Sequence, residues 1–272
     1  MLRQRVLVTA VLLPIGLILI YFGGLSFLAF ITLLLGLAVG EYAKLFKAGG
    51  YQPASLLGVI GTVALVVGRG LNGFESSDWI LGFFVLASLV YHLVAYERGR
   101  DQAGTDFAIT VSGALYIGWI GAYLISLRSL DNGMWWFMVA LPSVWAADSG
   151  AYFYGRKFGR HQLSPRLSPK KTWEGYFAGV ISGLVIGMVF AALASSQLPA
   201  EAGITPLRGA ILGLILAVVT PLGDLGESMI KRQVGIKDSS KLFPGHGGAF
   251  DRIDSWIWGA IISYYIITFF FI

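Results

Sequence analysis

Long apolar runs joined by short polar segments make up almost the whole chain. Nine runs are candidates to cross a bilayer: about residues 5–22, 25–46, 55–71, 79–96, 106–127, 134–157, 174–196, 206–230 and 255–272. A helical span needs roughly 17–25 residues, and most of these runs supply them. Only Gly23, Gly24 and a few neighbours separate the first two runs, which predicts a tight joint. Glycines and polar residues shorten the third and fourth. The pattern predicts an all-α fold, a polytopic integral membrane protein with about nine transmembrane helices. Met1–Tyr21, with two early arginines before an apolar run, has the outline of a signal peptide. No small-residue cleavage site follows and further spans do, so it is expected to be a retained first helix.

Composition agrees. Mean hydropathy is +0.72, and 13% of residues are charged, against about 25% in an ordinary soluble domain. With no cysteine, disulfides and thiol catalysis are excluded. The net charge of +5 is best explained by topology, because cytoplasmic loops of membrane proteins collect Lys and Arg. With the N-terminus inside, seventeen of the twenty Lys and Arg fall on inside segments; only Arg69, Arg128 and Arg208 fall outside. An odd number of spans then puts the C-terminus outside. Nothing in the pattern calls for nucleic acid as a partner. Residues 1–132 are apolar spans with few internal charges, and 133–272 carry the polar chemistry, which suggests an N-terminal membrane region and a C-terminal catalytic region with cytoplasmic loops. Along the seventh run Gly175, Gly179, Gly183 and Gly187 recur every four residues. That spacing lines one helix face with small residues for close packing.

The densest polar stretch, residues 221–255, lies between two apolar runs. It contains Asp224, Glu227, Lys231, Arg232, Lys237, Asp238, Lys241, His246, Asp251, Arg252 and Asp254. Carboxylates interleaved with cations around a Gly-Pro-rich turn suit a divalent metal and phosphate. Ionisable residues within spans are costly and point to function. Asp148 in the sixth run and Asp224 in the eighth each precede a basic residue, Arg156 and Arg232, by eight positions. Both carboxylates are thus expected at similar depth and buried. Glu227 shares a helix face with Asp224. Hard oxygen ligands suit Mg²⁺, and no zinc pattern is present. Asp224 and Asp251 make the expected metal pair, while His246 fits a turn or phosphate contact better than a ligand. Ser168-Pro169 reads as the cap and first turn of the seventh helix, which would put Lys170 and Lys171 at its N-terminus, where an anion would offset them. Gly245, Gly247 and Gly248 would let backbone N–H groups approach a phosphate.

This constellation resembles the phosphatidate cytidylyltransferase (CDP-diacylglycerol synthase) family. The signature S-x-x-K-R-x4-K-D-x5-P-G-H-G-G-x-x-D-R-x-D runs unbroken from Ser228 through Lys231, Arg232, Lys237, Asp238, Pro244, Gly245, His246, Gly247, Gly248, Asp251 and Arg252 to Asp254. Asp148-Ser149 with Ala151-Tyr152, and the segment from Ser168 to Gly175, also look like family motifs. The resemblance implies transfer of CMP from CTP to phosphatidate, giving CDP-diacylglycerol and pyrophosphate. It further implies Mg²⁺ as cofactor, with a second cation left open, a bilayer setting and a homodimer. The site would then face the cytoplasm, at a bacterial inner membrane. Asp224, Asp251, Lys231, Arg232, Lys237 and Asp148 are the expected catalytic residues. Lys170, Lys171, Ser228, His246, Gly247, Gly248 and Arg252 are expected to bind substrate. Two other transferase classes fit less well: the DG-x2-AR-x8-G-x3-D-x3-D pattern of CDP-alcohol phosphotransferases and a DD-x-x-D cluster are both absent. An ion-coupled transporter is disfavoured because no inverted repeat is visible and the charges gather at one face. Relatives that act on another lipid phosphate with CTP stay open.

Overall fold

The computed structural model describes residues 10, 14–240 and 247–272. Of the expected first span, residues 14–22 are helical and most of the rest lies outside the described residues. So do Lys241, Pro244, Gly245 and His246. Helix dominates, as it must where no water is available to satisfy backbone N–H and C=O groups. Among the described residues, seven helical stretches are long and apolar enough to cross a membrane. The chain groups into two compact units, residues 1–126 with 230–253, and residues 127–229 with 254–272.

In the first unit, one non-helical residue, Gly23 (φ 63°), followed by Gly24 (φ 56°), forms the tight joint before α1 (Gly24–Ala48). Helices α2 (Ser55–Asn72), α3 (Ser77–Glu97) and α4 (Ala103–Gly113) follow. The fifth run is not one regular helix: α4 widens into a π-helical stretch, Ala114–Ile120, and α5 (Tyr123–Arg128) restarts after Gly121. Ile31, Leu35, Leu65, Val66, Ala114 and Ile117 form the core of this unit. Its polar joints are satisfied locally. Asp106 accepts from Gln52 N at 2.7 Å and Arg100 Nε at 2.7 Å, and Thr110 Oγ1 accepts from Ala54 N at 2.9 Å. Arg69 is only 4% exposed; it donates to Ser126 Oγ and Ser77 Oγ, and its guanidinium lies 3.7 Å from the Phe74 ring centroid.

In the second unit α6 (Gly133–Phe158) is the central helix, burying Trp136, Phe137, Val139, Ala140, Leu141 and Val144. It covers the sixth expected span but is not among the seven apolar stretches. It contains Pro142, Asp148, Arg156 and Lys157; its first half is buried and its second half, from Asp148 on, is largely exposed. Helices α7 (Trp173–Ser195) and α8 (Pro206–Val219) pack on it and on each other. Gly175, Gly179, Gly183 and Gly187 are all buried. A Cβ at Gly175 or Gly179 would stand 2.6 Å from the carbonyl oxygen of Ala151 or Ala147 on α6. Gly183 and Gly187 meet Gly213 and Gly209 of α8 in the same way, backbone against backbone. The small-residue stripe is therefore a packing seam, as its spacing implied.

Three boundaries differ from the sequence expectation. The seventh helix starts at Trp173, not Ser168: Ser168–Thr172 is strand β2, antiparallel to β1 (Gln162–Ser164), and Thr172 Oγ1 caps the helix by accepting from Gly175 N at 3.2 Å. Lys170 and Lys171 thus lie on a strand, and the helix dipole places no demand on them. A β-branched Thr in extended backbone (φ −127°, ψ 153°) continues the strand and caps the helix at once, which Ser-Pro cannot do. The eighth run breaks at Thr220 into α8 and α9 (Pro221–Gln233), because Pro221 has no N–H to continue the ladder. The last helix, α10, starts at Phe250 rather than 255 and ends at Ile266, followed by a π-helical end, Ile267–Phe271. Asp251 and Asp254 therefore belong to its opening turns rather than to a loop; acidic residues are favoured there by the helix dipole.

Because the α7–α8 seam brings backbones together, Gly213→Leu is expected to cost about 1–3 kcal/mol or more. A thermal unfolding scan in detergent should show a clear drop for this variant and little change for Leu214→Ala, at a partly exposed neighbour.

Candidate active site

A cavity of about 750 Å³ opens in the second unit, walled by α6, the β-hairpin, α7 and the α8–α9 junction. Asp148, Arg156, Lys170, Lys171, Tyr176 and Asp224 all line it. Four of the residues picked out from sequence, Asp148, Lys170, Lys171 and Asp224, thus line one cavity from three different elements. Asp148 is exposed, not buried as expected, because α6 turns this face to the cavity. Lys171 Nζ forms an ion pair with Asp224 Oδ2, both groups partly exposed. Tyr176 OH donates to Val218 O at 3.0 Å, fixing the end of α8 where it meets Asp224's helix. The hairpin is held by Glu174, which accepts from His161 Nδ1 at 2.6 Å and Arg160 N at 3.1 Å.

Asp224, Glu227 and Asp254 each offer a carboxylate oxygen within 4.8 Å of the others. Glu227 is buried, and the other two are intermediate. Gly223 makes the approach possible, since a Cβ there would be 2.5 Å from Asp254 O. Three oxygen donors at this separation fit a hard cation such as Mg²⁺. Glu227 and Asp254 are the members that sequence alone did not choose as ligands. The Asp224–Glu227 spacing of three was the available signal for one; Asp254 needs the helix start at Phe250.

Asp251, the other half of the expected metal pair, lies in the first unit with a full set of donors. Lys231 Nζ donates to its Oδ1 at 2.6 Å. Ser239 Oγ, Gly248 N and Ser239 N reach Oδ2 at 2.6, 2.8 and 3.0 Å. Two of the signature glycines, Gly247 and Gly248, are explained by carboxylates packed against them. Gly247 has φ 78° and a Cβ there would collide with Asp251 Oδ2; a Cβ on Gly248 would collide with Glu41 Oε2 and Ser239 Oγ. Glu41 was missed in the sequence reading. It lies in α1, 6% exposed, and accepts from Ser240 Oγ at 2.6 Å, Phe250 N at 2.9 Å and Ser239 Oγ at 3.0 Å. A lone acid in an otherwise apolar span was the signal. Of the remaining expected residues, Ser228 is buried, while Arg232, Lys237 and Arg252 are exposed, with Arg232 donating to Ile236 O at 3.2 Å. His246 lies outside the described residues.

Residues 3–270 match the model of the cytidylyltransferase family. The chain belongs to that family. It is similar to the phosphatidate cytidylyltransferase of Pseudomonas aeruginosa, with 37% identity over 94% of this chain and 93% of the relative. It is 34% identical to the Bacillus subtilis phosphatidate cytidylyltransferase over 98% of both chains, and 31% identical to that of a Synechocystis strain over 97% of this chain and 96% of the relative. This cytidylyltransferase is thus an integral membrane protein like the one its hydropathy predicted, with the match extending over the N-terminal helices as well as the signature.

The Lys231–Asp251 pair is buried, with side chains 9% and 8% exposed. Removing one partner leaves the other's buried charge less compensated, at a cost of up to about 3–5 kcal/mol, more than removing both. Lys231→Met should therefore unfold at lower temperature than the Lys231→Met/Asp251→Asn double variant of the cytidylyltransferase, measured by thermal unfolding in detergent.

Proposed function

We propose that this enzyme transfers CMP from CTP to phosphatidate, releasing pyrophosphate and leaving CDP-diacylglycerol in the bilayer. The observation that carries the reading is the cavity lined by Asp148, Asp224, Lys170 and Lys171, with three carboxylates gathered at Asp224. Its relatives' names point to the same lipid substrate.

A lipid phosphomonoester has a second pKa near 6, so the attacking phosphate oxygen is largely ionised at neutral pH and needs no strong general base. That oxygen bonds to the α-phosphorus of CTP as the bond to the β-phosphate bridging oxygen breaks; pyrophosphate departs with the electron pair. The obstacle is repulsion between two polyanions, so the protein's contribution is positioning and charge neutralisation. Lys170, Lys171 and Arg156 line the cavity as cations for the phosphates. Asp148 and Tyr176 orient the polar groups opposite them. Asp224, with Glu227 and Asp254, would hold the Mg²⁺, which when bound screens phosphate charge and stabilises the leaving pyrophosphate. Asp251 is retained as a second proposed metal carboxylate, and Lys231, Arg232, Lys237, Arg252, Ser228, Gly247, Gly248 and His246 as proposed substrate contacts. The Lys and Arg count supports a cytoplasm-facing site with the N-terminus inside, in a bacterial inner membrane, and the family resemblance supports a homodimer.

Purified protein in detergent should convert CTP and phosphatidate to CDP-diacylglycerol and pyrophosphate only when Mg²⁺ is supplied. Asp224→Asn is expected to reduce the rate at least 100-fold, and Lys171→Ala about tenfold or more, since charge-directed groups are worth several kcal/mol in such sites. Wild-type rates in Asp224→Asn would remove this carboxylate from the mechanism; a folded wild type with no CDP-lipid product would refute the reaction.

A further inference from the structure

We propose that Glu41, on the second apolar run of the N-terminal half, is a positioning residue for Asp251. The inference rests on the function proposed above, in which Asp251 belongs to the catalytic machinery. Glu41 is nearly 200 residues away in sequence from the groups it binds. It is 6% exposed, and it is the one acid in a helix whose other charged residues are Lys44 and Lys47 near its end. A carboxylate withdrawn from water needs donors on both oxygens, and three are supplied: Ser240 Oγ to Oε1, Ser239 Oγ and Phe250 N to Oε2.

Each donor lies beside Asp251 or beside a group that binds it. Phe250 precedes it in α10. Ser239 Oγ stands 2.6 Å from Asp251 Oδ2 and 3.0 Å from Glu41 Oε2, so one hydroxyl proton is shared between two carboxylates. Ser239 N and Gly248 N complete the set on Asp251 Oδ2. Gly248 passes so close to Glu41 that no side chain fits there. Lys231 Nζ donates to Asp251 Oδ1, and the Ser239 hydroxyl and the N–H donors add to the charge compensation of the two acids. Glu41 thereby fixes the start of α10 and the rotamer of Asp251 together. A purely structural anchor would need only the Phe250 bond; the shared Ser239 proton is what couples Glu41 to the functional carboxylate.

Glu41→Gln preserves shape but replaces an acceptor oxygen by a donor amide, so one of the three donors must lose its partner. The expected result is a monodisperse protein with an unfolding midpoint near wild type and kcat reduced roughly 10–100-fold, the range for groups that orient a metal or catalytic ligand. KM for CTP should change less. Ser239→Ala should give a similar loss, and the double variant should be no worse than the worse single variant, because both act along one path. Hydrogen exchange at the amides of Ser239, Gly248 and Phe250 should be faster in Glu41→Gln. Ser240→Ala serves as the milder test if Glu41→Gln does not fold, and should raise the same exchange rates to a smaller degree. Wild-type turnover, additive losses, or unchanged exchange at these amides would overturn the proposal. If the wild type makes no CDP-lipid at all, the functional reading fails on its own, and the exchange rates still decide whether Glu41 positions Asp251.

Discussion

Taking a carboxylate out of water in a chain this apolar demands donors within hydrogen-bond distance, and much of the polar architecture meets that demand. Among the described residues, Asp251 accepts from Lys231, Ser239 and Gly248, and Glu41 from Ser239, Ser240 and Phe250. Asp106 is met by Arg100 and the amide of Gln52, and Asp224 by Lys171. Each set fixes backbone as well as charge: a strand residue, a helix start, or the link between two spans. Unmatched, the buried ones among them, Glu41, Asp106 and Asp251, would each cost several kcal/mol, a large part of the stability of a single domain.

Glycine provides the complementary constraint. Along α7 it removes side chains so that α6 and α8 can approach to backbone contact, a source of association that does not depend on excluding water. In the second unit Gly223 lets α9 approach the Asp254 carbonyl; in the first, Gly247 and Gly248 let main-chain N–H groups lie against Asp251. The seam and the site are built by one device, and the rigid seam supports α6, which carries Asp148 into the cavity.

The sequence by itself determined the class of protein. Apolar runs of bilayer length can satisfy their backbone only as helices, so an all-α membrane fold followed from composition and spacing. The glycine stripe on α7 and the ionisable residues 148 and 224 were legible because helical period and the cost of charge in hydrocarbon are local properties. The signature pattern fixed the family, since so many constrained positions in one stretch leave little choice.

Tertiary structure decided which acids meet. Asp224 is joined by Glu227 and Asp254 because Gly223 admits the backbone of α10, a contact between segments thirty residues apart that no periodicity encodes. Lys170 and Lys171 sit on a strand because pairing with residues 162–164 and the Thr172 cap outweigh the local Ser-Pro helix signal. Glu41, one acid in an apolar span, acquires meaning only when Ser239, Ser240, Gly248 and Phe250 pack against it. Local propensity and burial cost are written along the chain; partners distant in sequence are chosen by packing, where the energy of a charge depends on everything within a few ångströms of it.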